Sequence, residues 1–150
     1  VGFELGGVRG PFHAAAEYFA ASIDGENGYD DQWLQGFYVQ AGWFLTGESR
    51  PYDPKTGTWK GVKPKSNFLT GCGPGPALGA WEVAIRYSRL CLDRDGLPST
   101  ARDLDDLTVG VNWYLNPNVR MSWNYVRSWI DGNGVSDAAD MFMMRFQVAF

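Results

Sequence analysis

A stretch of apolar–polar alternation between residues 107 and 130 constrains this chain more than any other feature. Two alternating runs flank Asn116-Pro117-Asn118, which cannot continue a strand because Pro lacks an N–H and Asn tolerates turn backbone. Since successive side chains of a strand point to opposite faces, the period of two predicts a β-hairpin with one apolar and one polar face. The apolar face carries Leu107, Val109, Val111, Trp113, Leu115, Val119, Met121, Trp123 and Tyr125. The polar face carries Thr108, Gly110, Asn112, Tyr114, Arg120, Ser122 and Asn124.

Two environments produce a two-faced hairpin of this kind. A soluble sandwich packs the apolar face into a core and exposes the polar face to bulk water. A membrane barrel turns the apolar face to lipid and the polar face to a wet lumen. The long strands, the tight turn and the aromatic residues near the strand ends together favour the barrel.

Composition agrees with closely packed β structure and interfacial aromatic residues. The 150 residues include 7 Trp, 7 Tyr, 9 Phe and 19 Gly, and no apolar run reaches the ~18 residues of a membrane helix. The formal charge of −4 argues against a protein that coats nucleic acid. The first residues already read as a strand and no signal peptide precedes them, so we expect a segment that starts mid-domain.

Alternation recurs along the chain and predicts an all-β fold with seven antiparallel strands, several of them long enough to cross a bilayer when tilted. The predicted strands are 1–8, 12–22, 35–45, 80–90, 107–115, 119–130 and 140–150. Turns 9–11 and 116–118 then lie at one end of the sheet. Loops 23–34, 91–103 and 131–139 lie at the other end. The long Pro- and Gly-rich connection 46–79 falls on the same side as the short turns. Outer-membrane barrels usually have only short turns on that side, so a connection of this length is unexpected there.

Positive charge concentrates in this inserted segment, which carries all four lysines of the chain and a net charge of +3. We predict that the segment folds into the lumen and presents cations to passing anions, as rings of Arg and Lys do in anion pores. Three further arginines fall on polar strand faces and would line the same lumen. The candidate substrate-binding residues are therefore Arg50, Lys55, Lys60, Lys63, Lys65, Arg86, Arg120 and Arg145. The alternative is a solvated lysine loop, with arginines paired to wall carboxylates such as Glu17 and Glu82.

Residues of catalytic type do not form a recognisable site. His13 is the only histidine, and no nucleophile motif, metal-ligand spacing or Gly-rich phosphate loop accompanies it, so a structural role is expected for it. We therefore expect no enzyme, no cofactor and no metal. The acidic residues of the three opposite loops would bind divalent cations that bridge lipid head groups, or would simply keep that surface soluble.

Several ordered motifs resemble the C-terminal part of the phosphate-selective porin O and P family. They are Gly36-Phe37-Tyr38-Val39, Phe44-Leu45-Thr46-Gly47-Glu48-Ser49-Arg50, Val62-Lys63-Pro64-Lys65, Gly79-Ala80-Trp81-Glu82 with Arg86-Tyr87-Ser88, and residues 107–118. The resemblance implies a sixteen-stranded, trimeric outer-membrane barrel through which phosphate or polyphosphate diffuses, with some loops folded into the lumen. The final strand, which ends in Phe150, is similar to the signal that the barrel assembly machinery reads. Residues 66–79 depart from the family pattern.

Other interpretations predict different observations. A general or sugar-type porin would leave the lysine segment incidental, and an outer-membrane hydrolase would have its site elsewhere. In a small soluble barrel or sandwich that serves as a binding module, Trp81, Trp113 and Trp123 would pack into a core rather than face lipid. Seven strands cannot close a barrel of sixteen, so we expect the missing strands or partner chains to complete it. Cys72 and Cys91 flank a strand of about 36 Å at ~3.3 Å per residue, too far to form a disulfide.

Overall fold

The computed structural model of the chain describes residues 1–23, 32–69, 77–92, 103–132 and 135–149. The predictions that concern Cys72, Phe150 and most of loops 23–34 and 91–103 lie outside the described residues. No helix in the described part is long and apolar enough to cross a membrane.

The predicted seven-stranded antiparallel sheet is confirmed. Its strands are β1 (Gly2–Arg9), β2 (Phe12–Ile23), β3 (Gln32–Phe44), β6 (Ala80–Leu92), β7 (Asp103–Asn116), β8 (Val119–Gly132) and β9 (Val135–Val148). They follow one another across the sheet in this order, each antiparallel to the next. A separate two-stranded hairpin, β4 (Tyr52–Asp53) and β5 (Thr58–Trp59), lies in the connection between β3 and β6.

Strand boundaries differ from the prediction mainly at the end away from the tight turns. The predicted loop 131–139 is wrong over most of its length, because β8 runs to Gly132 and β9 starts at Val135. Polar residues there continue the ladder, with Asp131 opposite Ser136 and Ile130 opposite Asp137. Backbone pairing does not depend on apolar side chains, so the ladder extends beyond the alternation that reveals it in the sequence.

Cross-strand partners divide the sheet into two faces, because directly opposed residues share a face. One row of the apolar face contains Phe12, Trp43, Val83, Val111, Trp123 and Met144. A neighbouring row of the polar face contains Phe44, Glu82, Asn112, Ser122 and Arg145. The described residues place no second layer on the apolar face, where Ile85 is 50% and Phe142 is 71% exposed. Exposed apolar side chains on this face are what the lipid-facing side of a barrel wall requires.

Aromatic rings gather on the apolar face near the tight-turn end. The rings of Trp81 and Trp113 stack with centroids 5.0 Å apart, and Trp123 lies parallel to Trp81 at 6.5 Å. The indole N–H groups of Trp81 and Trp113 both donate to the Leu78 carbonyl oxygen, at 3.2 and 2.8 Å. An aromatic band with its polar N–H groups satisfied is typical of the rim where a barrel wall meets the membrane–water interface.

The tight turns and the long connection lie at the same end of the sheet. Side-chain Oδ1 of Asn116 accepts hydrogen bonds from the backbone N–H groups of Asn118 and Val119, at 2.8 and 2.9 Å, and closes the β7–β8 turn. The β1–β2 turn uses Gly10 at a φ of 58°. Since β3 ends where β2 begins, residues 45–79 also leave and rejoin the sheet at this end.

Gly79, which immediately precedes β6, tests how closely the connection rejoins the sheet. Its φ is +69°, and a Cβ atom there would collide with the carbonyl oxygen of Tyr114. We expect Gly79→Ala to destabilise the full-length protein by more than the about 1 to 2 kcal/mol that a left-handed alanine costs. Urea unfolding in detergent micelles, followed by tryptophan fluorescence, measures the change.

Two glycines of the same connection provide controls for this substitution. Gly57 has a φ of +66° with open space around it, and Gly61 has open space without a left-handed backbone. Gly57→Ala should lower the free energy of unfolding only by the cost of a left-handed alanine, and Gly61→Ala should change it little. Equal losses for Gly79→Ala and Gly57→Ala would contradict the close approach at Tyr114.

Candidate functional site

The inserted segment, defined here as residues 45–79 between β3 and β6, packs back onto the polar face in its described part. Val62 is buried against Phe44, Ala80 and Tyr114, which form the one cluster of buried apolar side chains in the described residues. The backbone N–H of Phe68 donates to the Leu115 carbonyl oxygen at 2.7 Å. Apolar burial and backbone pairing thus hold the later part of the segment against β6 and β7.

A buried glutamate organises the base of the segment. Glu48 accepts hydrogen bonds from the Thr46 hydroxyl and, at 3.1 Å, from the backbone N–H of Lys65. The Trp81 backbone N–H donates to Thr46 Oγ1 at 3.0 Å, and Lys65 Nζ donates to the Gly47 carbonyl oxygen at 2.6 Å. These contacts join the start of the segment to Lys65 in its middle and to the first residues of β6.

A second glutamate, Glu82 on β6, is completely buried at 0% exposure. Its Oε1 accepts from His13 Nε2 at 2.6 Å and from an Arg50 guanidinium N–H at 3.0 Å. Its Oε2 accepts from the Asn112 amide at 3.0 Å and from the Tyr114 hydroxyl at 2.7 Å. A carboxylate removed from water requires such partners, and here they come from β2, the inserted segment and β7.

The hairpin β4–β5 meets the sheet through Trp59. The Trp59 ring lies 5.9 Å from the His13 ring, and the Arg50 guanidinium carbon sits 5.6 Å from the centre of the same indole. Trp59 also lies over Gly6 of β1, where a Cβ would come within 3.4 Å of the indole. The hairpin therefore lies across the polar face of β1 and β2.

A pocket of about 200 Å³ opens beside Glu82 on the polar face. Its polar lining is His13, Gln40, Arg50, Glu82, Arg86, Thr108, Asn112 and Asn124. Guanidinium and amide groups in this lining offer N–H donors, while the carboxylate of Glu82 is already occupied by four donors. Such a surface suits anions or neutral polar solutes better than cations.

The four predicted lysines are all exposed but differ in their partners. Lys60 Nζ pairs with Asp53 at 2.9 Å, and this contact helps to hold the pKa of the Asp53 carboxyl below its usual value. Lys65 donates to the backbone at Gly47. Lys55 and Lys63 form no ion pair with any described residue.

The four predicted arginines divide in the same way. Arg50 pairs with Glu82. This pairing is the one expected from the alternative interpretation, in which arginines pair with carboxylates of the wall. The described residues offer no carboxylate partner to the other three arginines. Arg86 lies over the Tyr38 ring at 3.8 Å, Arg120 donates to Gln147 at 2.8 Å, and exposed Arg145 is opposite Ser122.

Sequence reasoning missed Asn112 and Asn124 as site residues, although the alternation places both on the polar face. The signal was available in β7 and β8, where the period of two puts amide donors on the same side as the arginines. A structural role is expected for the single histidine, and the structure places His13 in direct contact with Glu82. Whether any of these residues contacts a solute stays a prediction.

The fold and this polar face define a class of protein: the wall of a β-barrel porin, with one lipid-suited face and one cation-bearing face. More particularly, the chain belongs to the phosphate-selective porin O and P family, which matches over residues 1–150. It is 34% identical over 160 residues to Porin O of Pseudomonas aeruginosa, an alignment that covers 99% of this chain and 34% of that protein. The chain thus spans about a third of the length of that curated relative. Porins are channels and not enzymes.

The four donors of Glu82 predict a measurable energetic role for the Tyr114 hydroxyl. Tyr114→Phe removes one charge-assisted hydrogen bond from a buried carboxylate, so we expect a loss of about 1.5 to 3 kcal/mol in the free energy of unfolding. Urea titration of the full-length protein in detergent measures it. Tyr125→Phe is the matched control, because that hydroxyl donates to Asp140 at an exposed position. A loss no larger than that of the control would contradict the role of Tyr114.

Proposed function

We propose that the whole protein is an outer-membrane porin through which small anions, among them phosphate or polyphosphate, diffuse passively. One observation carries this proposal. Arg86, Arg120 and Arg145 lie on the polar face without a carboxylate partner among the described residues, while Glu82 is enclosed by its own donors. These three arginines therefore offer positive charge and N–H groups on the water-facing side of the wall, which also carries the carboxylates of Glu4, Glu17 and Asp106.

Diffusion of an anion along this wall requires several weak sites and not one strong one, because a tightly bound ion would not leave. Each guanidinium replaces part of the hydration shell that the anion loses, and Asn112 and Asn124 add neutral donors between the charges. A unit charge pair about 4 Å apart near a protein surface gains about 4 kcal/mol, which is enough to favour anions over cations strongly. Water and salt in the lumen reduce this value and keep the sites reversible.

We place the inserted segment in the lumen in this proposal. Its described part packs on the polar face, and it begins and ends at the end of the sheet that has the tight turns, which is the periplasmic end in barrels of this type. Lys55 and Lys63 would then face the water-filled pore. Completion of the barrel by further strands, assembly as a homotrimer in outer-membrane lipid, and recognition of the strand ending in Phe150 by the assembly machinery belong to the same proposal. These three points are supported by the membership of the chain in the family.

A general porin without phosphate selectivity is the second candidate, and specific contacts favour it. Two of the eight predicted cations pair with carboxylates, Arg50 with Glu82 and Lys60 with Asp53, and Lys65 donates to a backbone carbonyl. A pore in which half of the lysines serve its own structure would show a weaker anion preference.

Reversal potentials of the full-length porin in planar bilayers decide between the two candidates. We expect anion preference in the native protein and its loss or inversion when Lys55, Lys60, Lys63 and Lys65 are changed to Glu. Arg9→Glu on the apolar face is the control, since it reverses a charge outside the lumen. Unchanged selectivity in the quadruple variant would remove the lysines from the permeation path and favour the general porin.

A further inference from the structure

We infer that Glu82 is a positioning residue that fastens the inserted segment to the barrel wall and so sets where its lysine-bearing hairpin sits. The lysine part of this inference rests on the proposed function, whereas the fastening does not. Four side chains form a closed circuit, called here the Glu82 ring: Glu82, Arg50, Trp59 and His13. They come from β6, the inserted segment, β5 and β2, respectively.

The ring joins parts of the protein that backbone pairing does not join. In the sheet, β2 and β6 are separated by β3, and the hairpin β4–β5 forms a sheet of its own. The contact between His13 and Glu82 spans 69 residues of sequence, and the contact between Arg50 and Glu82 spans 32. The ring therefore fixes the hairpin relative to the wall, and the wall strands relative to one another.

Glycine at position 42 provides the space that the ring needs. Gly42 of β3 lies between His13 and Ala84 on the polar face, and a Cβ there would collide with the His13 ring and approach Glu82 Oε1 to 3.1 Å. Without a side chain on β3 at this point, His13 reaches across the intervening strand to the carboxylate. The backbone is thus shaped to let the two side chains meet.

Other anchors of the segment act elsewhere along it. Glu48 organises residues 46–48 and Lys65, and Val62 is buried beside Tyr114. The lysine-bearing hairpin lies between those anchors and meets the sheet through Trp59, which Arg50 and His13 flank. Loss of Glu82 would leave those anchors in place and release the hairpin.

Replacement of Glu82 by glutamine is a discriminating substitution because it keeps the size of the side chain. Glutamine has one acceptor oxygen and one NH₂ group, so it cannot accept from all four donors that the carboxylate serves. It also removes the charge that holds the Arg50 guanidinium. Hydration of the Arg50 guanidinium is then more favourable than a hydrogen bond to a neutral amide on the wall. The contact of Arg50 with Trp59 therefore loses its fixed geometry.

Limited trypsin digestion of the full-length porin in detergent tests this inference without any transport measurement. Trypsin is too large to enter a porin lumen, so cleavage after Lys55 or Lys60 reports a hairpin that has left it. Arg50 and Lys63 are each followed by proline, which trypsin does not cut, and Lys65 is held by Glu48 and Gly47. We expect cleavage of Glu82→Gln after Lys55 and Lys60, read by mass spectrometry, to be at least about tenfold faster than in the native protein. Cleavage of a transiently open segment follows its equilibrium population when opening is fast, and about 1.4 kcal/mol corresponds to that factor.

Matched controls isolate the ring from a general charge effect. Glu17→Gln removes one negative charge from the same face at a position in register with Tyr38, outside the ring. Arg86→Gln removes an arginine that contacts Tyr38 and not the segment. Both controls should be cleaved at the native rate. Equal cleavage of Glu82→Gln and Glu17→Gln, or rapid cleavage of the native protein at the same sites, would overturn the inference.

Variants on the segment itself keep the test decisive if Glu82→Gln fails to assemble. Arg50→Gln and Trp59→Ala break the ring and leave the carboxylate with its wall donors, so the barrel should still form and the hairpin should become cleavable. Arg50→Lys keeps the charge and should restore part of the protection. Native protection in both ring-breaking variants would refute the ring as the fastening.

Reversal potentials of the same variants separate this inference from the proposed function. If the lysines act on permeating ions, Glu82→Gln should weaken the effect of the quadruple Lys→Glu change, because the hairpin no longer holds a fixed place in the pore. If the quadruple change has no effect on selectivity while trypsin still finds the segment released, the lysine role fails and the fastening stands. If selectivity responds to the lysines and Glu82→Gln remains protected, the fastening fails and the proposed function stands.

Discussion

A carboxylate that water does not reach must be surrounded by donors, and Glu82 meets this requirement with side chains from three parts of the chain. Its burial ties the register of β6 to the positions of His13 and Asn112, and the same carboxylate holds Arg50 of the inserted segment. Buried charge is costly to remove from water, so this arrangement tolerates few alternatives. The wall and the segment that covers it are therefore specified together.

The cations of the inserted segment and of the polar face fall into two groups by their partners. Arg50, Lys60 and Lys65 hold the segment in shape through carboxylates and a backbone carbonyl. Arg86 and Arg145 have no carboxylate partner among the described residues. A cationic side chain that is paired with a carboxylate of the same protein attracts an anion less strongly, because its charge is already compensated. The positions of the carboxylates thus decide which of these cations keep an uncompensated charge.

Much of the fold was predictable because strand alternation is a local property. The period of two in residues 107–130 indicated the β7–β8 hairpin and the side chains on each of its faces, and the structure confirms them. The strand ends were predicted less well, since Asp137 and its neighbours pair through backbone groups that leave no apolar pattern. The hairpin β4–β5 was not predicted, because strands of two residues are too short to show a period. Lysine clustering was visible, whereas the partners of Lys60 and Lys65 were not.

The sequence by itself determined that the chain forms long antiparallel strands, which residues share a face, and that positive charge gathers in one connection. These properties follow from neighbours along the chain, where alternation and turn residues act within a few positions. Only the tertiary structure decided that Arg50 is held by a wall carboxylate while Arg86 lies over a tyrosine ring, since both are arginines suited to the polar face. That choice depends on contacts between residues far apart in sequence, such as His13 with Glu82. No local pattern records them, because they arise only when the strands pair in register and the inserted segment folds back onto the sheet.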